Sequence, residues 1–218
     1  MKTSNRKNSP KHLLQTTLTA LAVGVLSSLI PAVAHAQIHL GNPTLTGNGC
    51  TGTHTASVSL SPDNSAVSIL FDGFTANAGG NSGVRMNRSS CIINIPVGLS
   101  AGVQVAINQV DFRGFNSIPN RAYTQFTTQY SMNGQAMPTI LRRDMGPVSG
   151  DFVTVNRLRQ QDIKWSACGR PATVSVNTSM VVQTNANNEQ TMSSIDSADL
   201  RSGSDKALEF HILYRNCQ

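Results

Sequence analysis

Apolar and polar residues alternate along several short segments of the chain, a pattern typical of β-strands with one buried face. The clearest segment spans residues 207–214, where apolar side chains fill every even position from Leu208 to Tyr214 and the polar Glu209 and His211 lie between them. Because successive side chains of a strand point to opposite faces, this alternation predicts a strand whose apolar face is buried. Five more segments alternate in the same way: residues 58–60, 67–71, 103–107, 152–155 and 174–178.

Turn-forming residues separate these segments. Ser61-Pro62-Asp63-Asn64 lies between residues 56–60 and 66–71, and the two segments are predicted to form a β-hairpin because proline presets φ while Asp and Asn tolerate tight turns. Short strands with no helical pattern between them favour an all-β fold, an antiparallel β-sandwich of jelly-roll-like or Greek-key type, over a parallel α/β sheet. Three other connections are predicted to lack strands: the Gly- and Asn-rich residues 78–83, a long irregular stretch at 133–150 and the polar residues 185–190.

The start of the chain follows a different pattern. Four basic residues lie in the first eleven positions, an apolar run follows from Leu18 to Ile30, and small residues close it at Ala34-His35-Ala36. This order is typical of a secretory signal peptide with cleavage before Gln37. Residues 1–36 are therefore predicted to be removed, and the mature protein is predicted to be secreted, either to the extracellular space or to the periplasm.

Removal of the signal changes the charge of the protein. The full chain has a formal net charge of +6, but four of its 17 basic residues and none of its 11 acidic ones lie in residues 1–36, which leaves a mature net charge of +2. The remaining basic residues are scattered, so nucleic acid is not expected as a partner. The 182 residues from Gln37 to Gln218 suit one domain with a sizeable core, and no transmembrane span is expected in it.

All four cysteines, Cys50, Cys91, Cys168 and Cys217, lie after the predicted cleavage site. In an exported protein they are expected to form disulfides. Four cysteines allow three connectivities, and we favour Cys50 with Cys91 and Cys168 with Cys217, because each pair joins the end of a strand to a segment in the same half of the chain. A zinc site is the alternative, and the cysteine spacing disfavours it because no pair matches C-x₂₋₄-C.

An ordered set of short motifs extends this picture. Together with the cysteine positions, the set resembles the secreted family called domain of unknown function 4360, found in bacteria and fungi. The resemblance covers the chain from Gly49 to Cys217 and implies a secreted, β-rich, disulfide-bonded domain, without any reaction, substrate or catalytic residue to transfer. The motifs are Phe71-Asp72-Gly73-Phe74, Cys91, Val110-Asp111-Phe112-Arg113-Gly114-Phe115, Gly146-Pro147, Gly150-Asp151-Phe152, Trp165-Ser166-Ala167-Cys168-Gly169, Ser194-Ile195-Asp196 and Tyr214-Arg215-Asn216-Cys217.

Motifs of catalysis are scarce in this sequence. The three histidines of the mature chain have no H-x₃-H or HExxH spacing for a metal. Gly80-Asn81-Ser82-Gly83 is superficially similar to a nucleophile elbow, but its second glycine comes one place too early. Asp196 and Asp199 are calcium candidates, although the glycine and glutamate of an EF-hand loop do not accompany them. We therefore expect no catalytic residue, no metal and no cofactor.

Two charged residues share one face of a predicted strand. Asp111 and Arg113 are two positions apart, so both side chains project from the same face, while Val110 and Phe112 serve the other face and Gly114 permits a bend. One interpretation is a charged pair on an exposed binding face. The other, which we favour, is a cross-strand charge pair that closes a sheet edge.

The aromatic residues include candidates for ligand contact. The segment from Tyr123 to Tyr130 contains Phe126 and several Gln and Thr residues, and such a surface could stack a sugar ring and bind its hydroxyls. Burial in an ordinary strand is the alternative and the commoner outcome. Trp165, the sole tryptophan, lies shortly before Cys168, and it is expected in the core beside the disulfide.

Two classes of function remain. The first is a non-enzymatic secreted or envelope-associated binding or structural module for a polysaccharide or cell-surface ligand, with Tyr123, Tyr130, Asp111 and Arg113 as candidate binding residues. The second is a secreted hydrolase that acts on polysaccharide through paired carboxylates. Four acids are candidates for that pair: Asp111, Asp151, Asp162 and Glu209. The sequence favours the first class because its titratable groups do not converge in a motif, and it leaves the ligand and the oligomeric state open.

Overall fold

A computed structural model describes residues 38–52, 55–195 and 208–217. The predicted signal peptide and the calcium candidates Asp196 and Asp199 lie outside these residues. The described chain contains two single-turn 3₁₀ helices, η1 (Gly80–Ser82) and η2 (Gln160–Asp162), and its other elements are β-strands. No helix in this part of the chain has the length and apolar character that crossing a membrane requires.

The strands form two seven-stranded sheets in which every pairing is antiparallel. Their bounds are β1 (Ile38–Leu40), β2 (Thr44–Thr46), β3 (Thr55–Leu60), β4 (Ala66–Asp72), β5 (Phe74–Ala78), β6 (Met86–Leu99), β7 (Val103–Ile118), β8 (Tyr123–Met132), β9 (Gln135–Ala136), β10 (Ile140–Met145), β11 (Val148–Arg157), β12 (Ala172–Gln183), β13 (Thr191–Ile195) and β14 (Leu208–Asn216). Sheet A has the order β1-β6-β12-β8-β10, with β2 paired to β6 and β9 to β8. Sheet B has the order β3-β4-β14-β7-β13-β5, with β11 paired to β7. The predicted antiparallel β-sandwich is confirmed.

The core lies between the two sheets. In β8, for example, the even-numbered residues are buried and the odd-numbered ones face outward. Phe126 packs on Phe112 of sheet B with 4.5 Å between ring centroids, and Tyr130 packs edge-on against Phe210 at 5.8 Å. These aromatic pairs join the sheets, because each ring from sheet A meets one from sheet B.

The predicted hairpin is confirmed. β3 and β4 pair with Leu60 opposite Val67, and Asp63 holds the turn between them. The hydroxyls of Ser61 and Ser65 donate to Asp63 Oδ1 at 2.6 and 2.8 Å. Because these hydrogen bonds favour the charged carboxylate, with Ser61 contributing most, they lower the pKa of Asp63 from 3.8 to about 2.

The stretch at residues 133–150, predicted to be irregular, contains β9, β10 and the start of β11. That prediction is wrong, since β10 pairs with β8 over its whole length. The apolar alternation that would reveal β10 is missing because its half-buried positions are occupied by Arg142 and Asp144. These two residues form an ion pair with 2.7 Å between Nε and Oδ2.

Both predicted disulfides are present, and the favoured pairing is confirmed. Cys50–Cys91 joins the loop after β2 to β6, and Cys168–Cys217 joins the loop after η2 to the residue that follows β14. The sequence separations are 41 and 49 residues. All the cysteines of the described chain are therefore oxidised.

The longest strand, β7, organises one end of sheet B, with β14 on one edge and β11 on the other. Along the pairing with β14, His211 lies opposite Gln109 but Ile212 lies opposite Ile107. Asn108 is therefore the extra residue of a β-bulge. Bulges redirect side chains at the place where they occur, and this one lies beside the site described below.

An extended segment that begins at Trp165 follows the other edge of β7. Trp165 forms an isolated antiparallel bridge with Ala106, and the amide of Ser166 donates to the carbonyl of Val105 at 2.8 Å. The disulfide of Cys168 ties the same segment to the end of β14. The start of β7 thus lies between two elements that a covalent bond holds together.

Candidate functional site

An open groove with a volume of about 390 Å³ lies on the outer face of sheet B, beside the β7 bulge. We call it the Trp165 groove. A volume of this size is in the range of small-ligand sites in proteins. Eight residues line it: Asn108, Gln109, Arg157, Leu158, Gln160, Ile163, Trp165 and Leu213.

Three parts of the chain meet at the groove: β7 at the bulge, the connection from the end of β11 to Trp165, and β14 at Leu213. Because the bulge breaks the alternation of β7, the consecutive amides Asn108 and Gln109 both line the groove. Oδ1 of Asn108 is buried and has no hydrogen-bond partner among the described residues. Such orphaned acceptors are rare in folded proteins, and each requires an explanation.

Trp165 does not occupy the core, and the expectation that it does is wrong. Its side chain is half-buried and lies against the guanidinium of Arg215, whose central carbon is 4.1 Å from the indole centroid. Gln104 supports both sides of this contact, since its Oε1 accepts from Arg215 Nε at 3.0 Å and its Nε2 donates to the carbonyl of Ser166 at 2.7 Å. The indole is thus held as part of the outer surface.

A chain of polar contacts leads from the groove along sheet B. Nε of Arg157 donates to Gln109 Oε1 at 2.9 Å, and Gln109 Nε2 donates to the two carboxylate oxygens of Asp111 at 3.0 and 2.8 Å. Oδ2 of Asp111 also lies 2.9 Å from Nε2 of His211. Asp111, a predicted candidate, is therefore tied to the groove through Gln109, which sequence reasoning missed.

Asp111 and Arg113 both project outward from β7, as their spacing predicts. The structure does not bring them into a pair that closes an edge, because β7 lies inside sheet B with strands on both sides. Asp111 pairs across the sheet with His211, whereas Arg113 lies opposite Val153 of β11. Of the two candidates, only Asp111 belongs to the chain of contacts at the groove.

Tyr123 and Tyr130 do not share a face. Tyr130 is 2% exposed, so it cannot stack a ligand, and this part of the prediction is wrong. Burial raises the pKa of Tyr130 to about 12, with a smaller contribution from the charge of Asp162. Tyr123 is half-buried on the outer face of sheet A, where the guanidinium carbon of Arg143 lies 4.1 Å from its ring centroid.

The four acids considered for hydrolysis are only partly brought together. Glu209 of β14 lies directly opposite Asp111 of β7. Asp162 is held by Arg159 at 2.7 Å on η2, and Asp151 lies on β11 opposite Phe115. None of these acids lines the Trp165 groove, and within residues 38–52, 55–195 and 208–217 no three His, Cys, Asp or Glu side chains form a metal-binding group.

Other spaces in the described part of the molecule fit a ligand less well. The cavity between the sheets is apolar but has only about 20 Å³, close to the space of a single water molecule. Two depressions, of about 330 Å³ beside Met137 and about 310 Å³ beside Pro147, have no exposed aromatic side chain in their lining. The Trp165 groove is therefore the candidate site.

Fold and groove define a disulfide-bonded antiparallel β-sandwich with a ligand-sized groove on one outer face. The chain belongs to the family described as Domain of unknown function (DUF4360), whose sequence profile matches residues 36–217. It is also similar to an "Uncharacterized secreted protein" of Arthroderma benhamiae (strain ATCC MYA-4681 / CBS 112371), with 25% identity over 164 residues. That match covers 75% of this chain and 66% of the relative, so the chain spans slightly less than two thirds of the relative's length.

Proposed function

We propose that the protein is an extracellular, non-enzymatic carbohydrate-binding module and that the Trp165 groove is its binding site. Two disulfides and the secreted relative support an extracellular location, and so does the predicted signal peptide. The site is proposed on the chemistry of the groove.

The observation that carries the proposal is the convergence of an indole and two amides. Sugars present apolar C–H faces and ring hydroxyls, so their binding sites pair aromatic side chains with amide donors and acceptors. Trp165 supplies the aromatic surface, and Asn108 and Gln109 supply the amides. Oδ1 of Asn108 has no partner among the described residues, and rotation of this side chain toward the groove would offer it to a ligand hydroxyl.

The sole tryptophan makes the proposal directly testable. Indole emission should change when the purified mature protein is titrated with the oligosaccharide that a glycan panel selects, because the emitting ring lines the site. Trp165→Ala should weaken binding by about tenfold or more through loss of the aromatic contact. Since the variant lacks the emitting ring, its affinity is measured by calorimetry after thermal melting has shown that it folds, and Trp165→Phe serves as the milder change.

Tyr123→Ala is the matched comparison. Tyr123 is also a half-buried ring beneath an arginine, at the same 4.1 Å, but on sheet A. We expect Tyr123→Ala to bind like the wild type. The opposite result, with Trp165→Ala unchanged and Tyr123→Ala impaired, would move the binding face to sheet A, and failure of every glycan in the panel would refute carbohydrate binding.

A polysaccharide hydrolase is the second candidate, supported by the position of Glu209 directly opposite Asp111. Directly opposed residues on adjacent strands have Cβ atoms about 5 Å apart, so the two side chains can bring their carboxyl groups within the range that glycosidases use. The bound oligosaccharide should be incubated with the protein and assayed for new reducing ends. Their release, and its loss in Glu209→Gln, would establish hydrolysis; we expect none.

A further inference from the structure

We infer that the Trp165 groove selects sugars that carry a carboxylate, the uronic acids of an acidic polysaccharide. The inference deepens the proposed function and rests on it. Its basis is the way in which two arginines at the groove are held.

Arg157 and Arg215 are both exposed, and each is positioned by a glutamine of β7. Arg157 Nε donates to Gln109 Oε1 at 2.9 Å, and Arg215 Nε donates to Gln104 Oε1 at 3.0 Å. A neutral amide fixes a guanidinium without neutralising it. Both side chains are therefore ordered through Nε while their full positive charge is kept.

Two other arginines of the described chain are held differently. Arg142 and Arg159 each donate through Nε to a carboxylate, Asp144 and Asp162, at 2.7 Å. Among the described residues, Arg157 and Arg215 have no carboxylate within ion-pairing distance. In the described part of the chain, two cations thus lack ion-pair partners: Arg157, which lines the groove, and Arg215, which lies on Trp165.

Acidic groups do not offset this charge inside the groove, because its eight lining residues include none. The carboxylate joined to the polar chain, Asp111, accepts from Gln109 and is paired with His211. Its carboxylate is therefore already engaged by a neutral amide and by the imidazole of His211. The ligand that complements the groove is anionic.

A single uronic acid unit has both of the groups that these features require. Its pyranose ring has the C–H face that packs on an indole, and its carboxylate is planar, as the guanidinium is, and accepts two parallel N–H donors. Arg215 covers one face of Trp165, with its guanidinium carbon 4.1 Å from the ring centroid, so a sugar that contacts the rest of the indole brings its carboxylate close to a guanidinium. Neutral sugars offer the arginines only hydroxyl acceptors, without the charge and the paired oxygens of a carboxylate.

The test compares oligogalacturonate with the same oligomer after methyl esterification, which removes the charge and keeps the sugar backbone. Titrations followed by indole emission and calorimetry should give an affinity at least about tenfold higher for the acid. Added salt should weaken binding of the acid more than binding of the ester, since it screens exposed charges.

Charge-neutralising variants connect the preference to the two arginines. Arg157→Gln and Arg215→Gln should each weaken binding of the acid about tenfold and leave the ester unchanged. Lysine at either position should restore part of the loss, because it keeps the charge without the planar fork. Arg88→Gln, an exposed position on sheet A, is the matched control and should have no effect.

The outcomes separate the two proposals. Equal affinity for acid and ester, or binding of the acid that neither arginine variant alters, would overturn the selectivity for carboxylates and leave carbohydrate binding intact. If neither oligomer binds but a neutral glycan binds through Trp165, the selectivity for carboxylates is likewise overturned and carbohydrate binding stands. If no glycan of any kind binds, both proposals fail.

Discussion

Tyr130 brings a hydroxyl into an apolar interior. The oxygen is buried and has no hydrogen-bond partner among the described residues, so folding costs its hydration without return. Replacing it by phenylalanine keeps the ring and its contact with Phe210. We predict that Tyr130→Phe raises the free energy of unfolding by about 1 kcal/mol, measured by denaturant melts at neutral pH.

Alkaline pH should widen this difference. The pKa of Tyr130 is raised from 10.0 to about 12, so the neutral ring's contribution is fully present below pH 10 and is lost as the pH rises through about 12. Tyr214→Phe is the control, because the Tyr214 hydroxyl donates to the carbonyl of Asn64, and its removal should destabilise. A Tyr130→Phe variant less stable than the wild type would show that the hydroxyl has a favourable partner in solution.

The pKa of Asp63 is shifted in the opposite direction, so its contribution to stability is lost at acid pH. Its pKa is lowered from 3.8 to about 2 by hydrogen bonds from Ser61 and Ser65, so its contribution to the hairpin is present above about pH 3.8 and is lost as the pH falls through about 2. We expect an NMR titration to place the pKa of Asp63 near 2 in the wild type and nearer 3.8 in the Ser61→Ala variant. Equal values in the two proteins would mean that solvent, not the turn, sets the ionisation.

For single residues, the sequence predicts the direction of a side chain only inside a regular strand, where odd and even positions face opposite sides. Tyr123 and Tyr130 are seven residues apart, an odd number, so a strand sends them to opposite faces. This spacing excludes a single binding face that contains both rings. Trp165 is different. It lies in a short segment attached to β7 by one bridge at Ala106, and no alternating pattern tells which way its side chain points.

The two disulfides close loops of similar length but fix different segments of the chain. Cys168–Cys217 fixes the segment that carries Trp165, whereas Cys50–Cys91 lies at β6 in the other sheet. From the separations of 41 and 49 residues, replacing either pair by serine should cost about 4 kcal/mol in the chain-entropy model. We predict similar losses of stability but a loss of glycan affinity only for Cys168→Ser/Cys217→Ser.

Denaturant melts and titrations below the unfolding transition provide the two measurements. The Cys50→Ser/Cys91→Ser protein controls for general destabilisation, since it is weakened by the same amount away from the groove. If both double variants lost affinity equally, the groove would depend on overall stability and not on the local clamp.

Elements with regular alternation were the predictable ones. The β3–β4 hairpin and the last strand were recognised because one face of each is apolar. β10 was missed because Arg142 and Asp144 occupy half-buried positions, and the bulge at Asn108 was missed because register depends on the partner strand, which lies a hundred residues away in the sequence. The groove depends on that bulge, so its amides could not be identified from one strand alone.

At the scale of the whole molecule, the central strands of the two sheets differ in the chemistry of their outward residues. The outward residues of β8 and β12 include no acid or base and consist largely of Ser, Thr, Asn and Gln. Those of β7 and β14 in sheet B include Asp111, Arg113, Glu209, His211 and Arg215. A ligand recognised by charge is therefore expected on sheet B, which agrees with the position of the groove.

Export is the prediction that concerns the entire chain. Cleavage after Ala34-His35-Ala36 should leave a mature protein that begins at Gln37, with all four cysteines paired. Intact mass and N-terminal sequencing of the protein recovered outside the producing cell check the first point. Reduction should add two hydrogen atoms for each of the two disulfides, and thiol titration before reduction should find no free thiol. A product that retains residues 1–36 inside the cell would contradict export, and with it the oxidising environment on which the clamp at Trp165 depends.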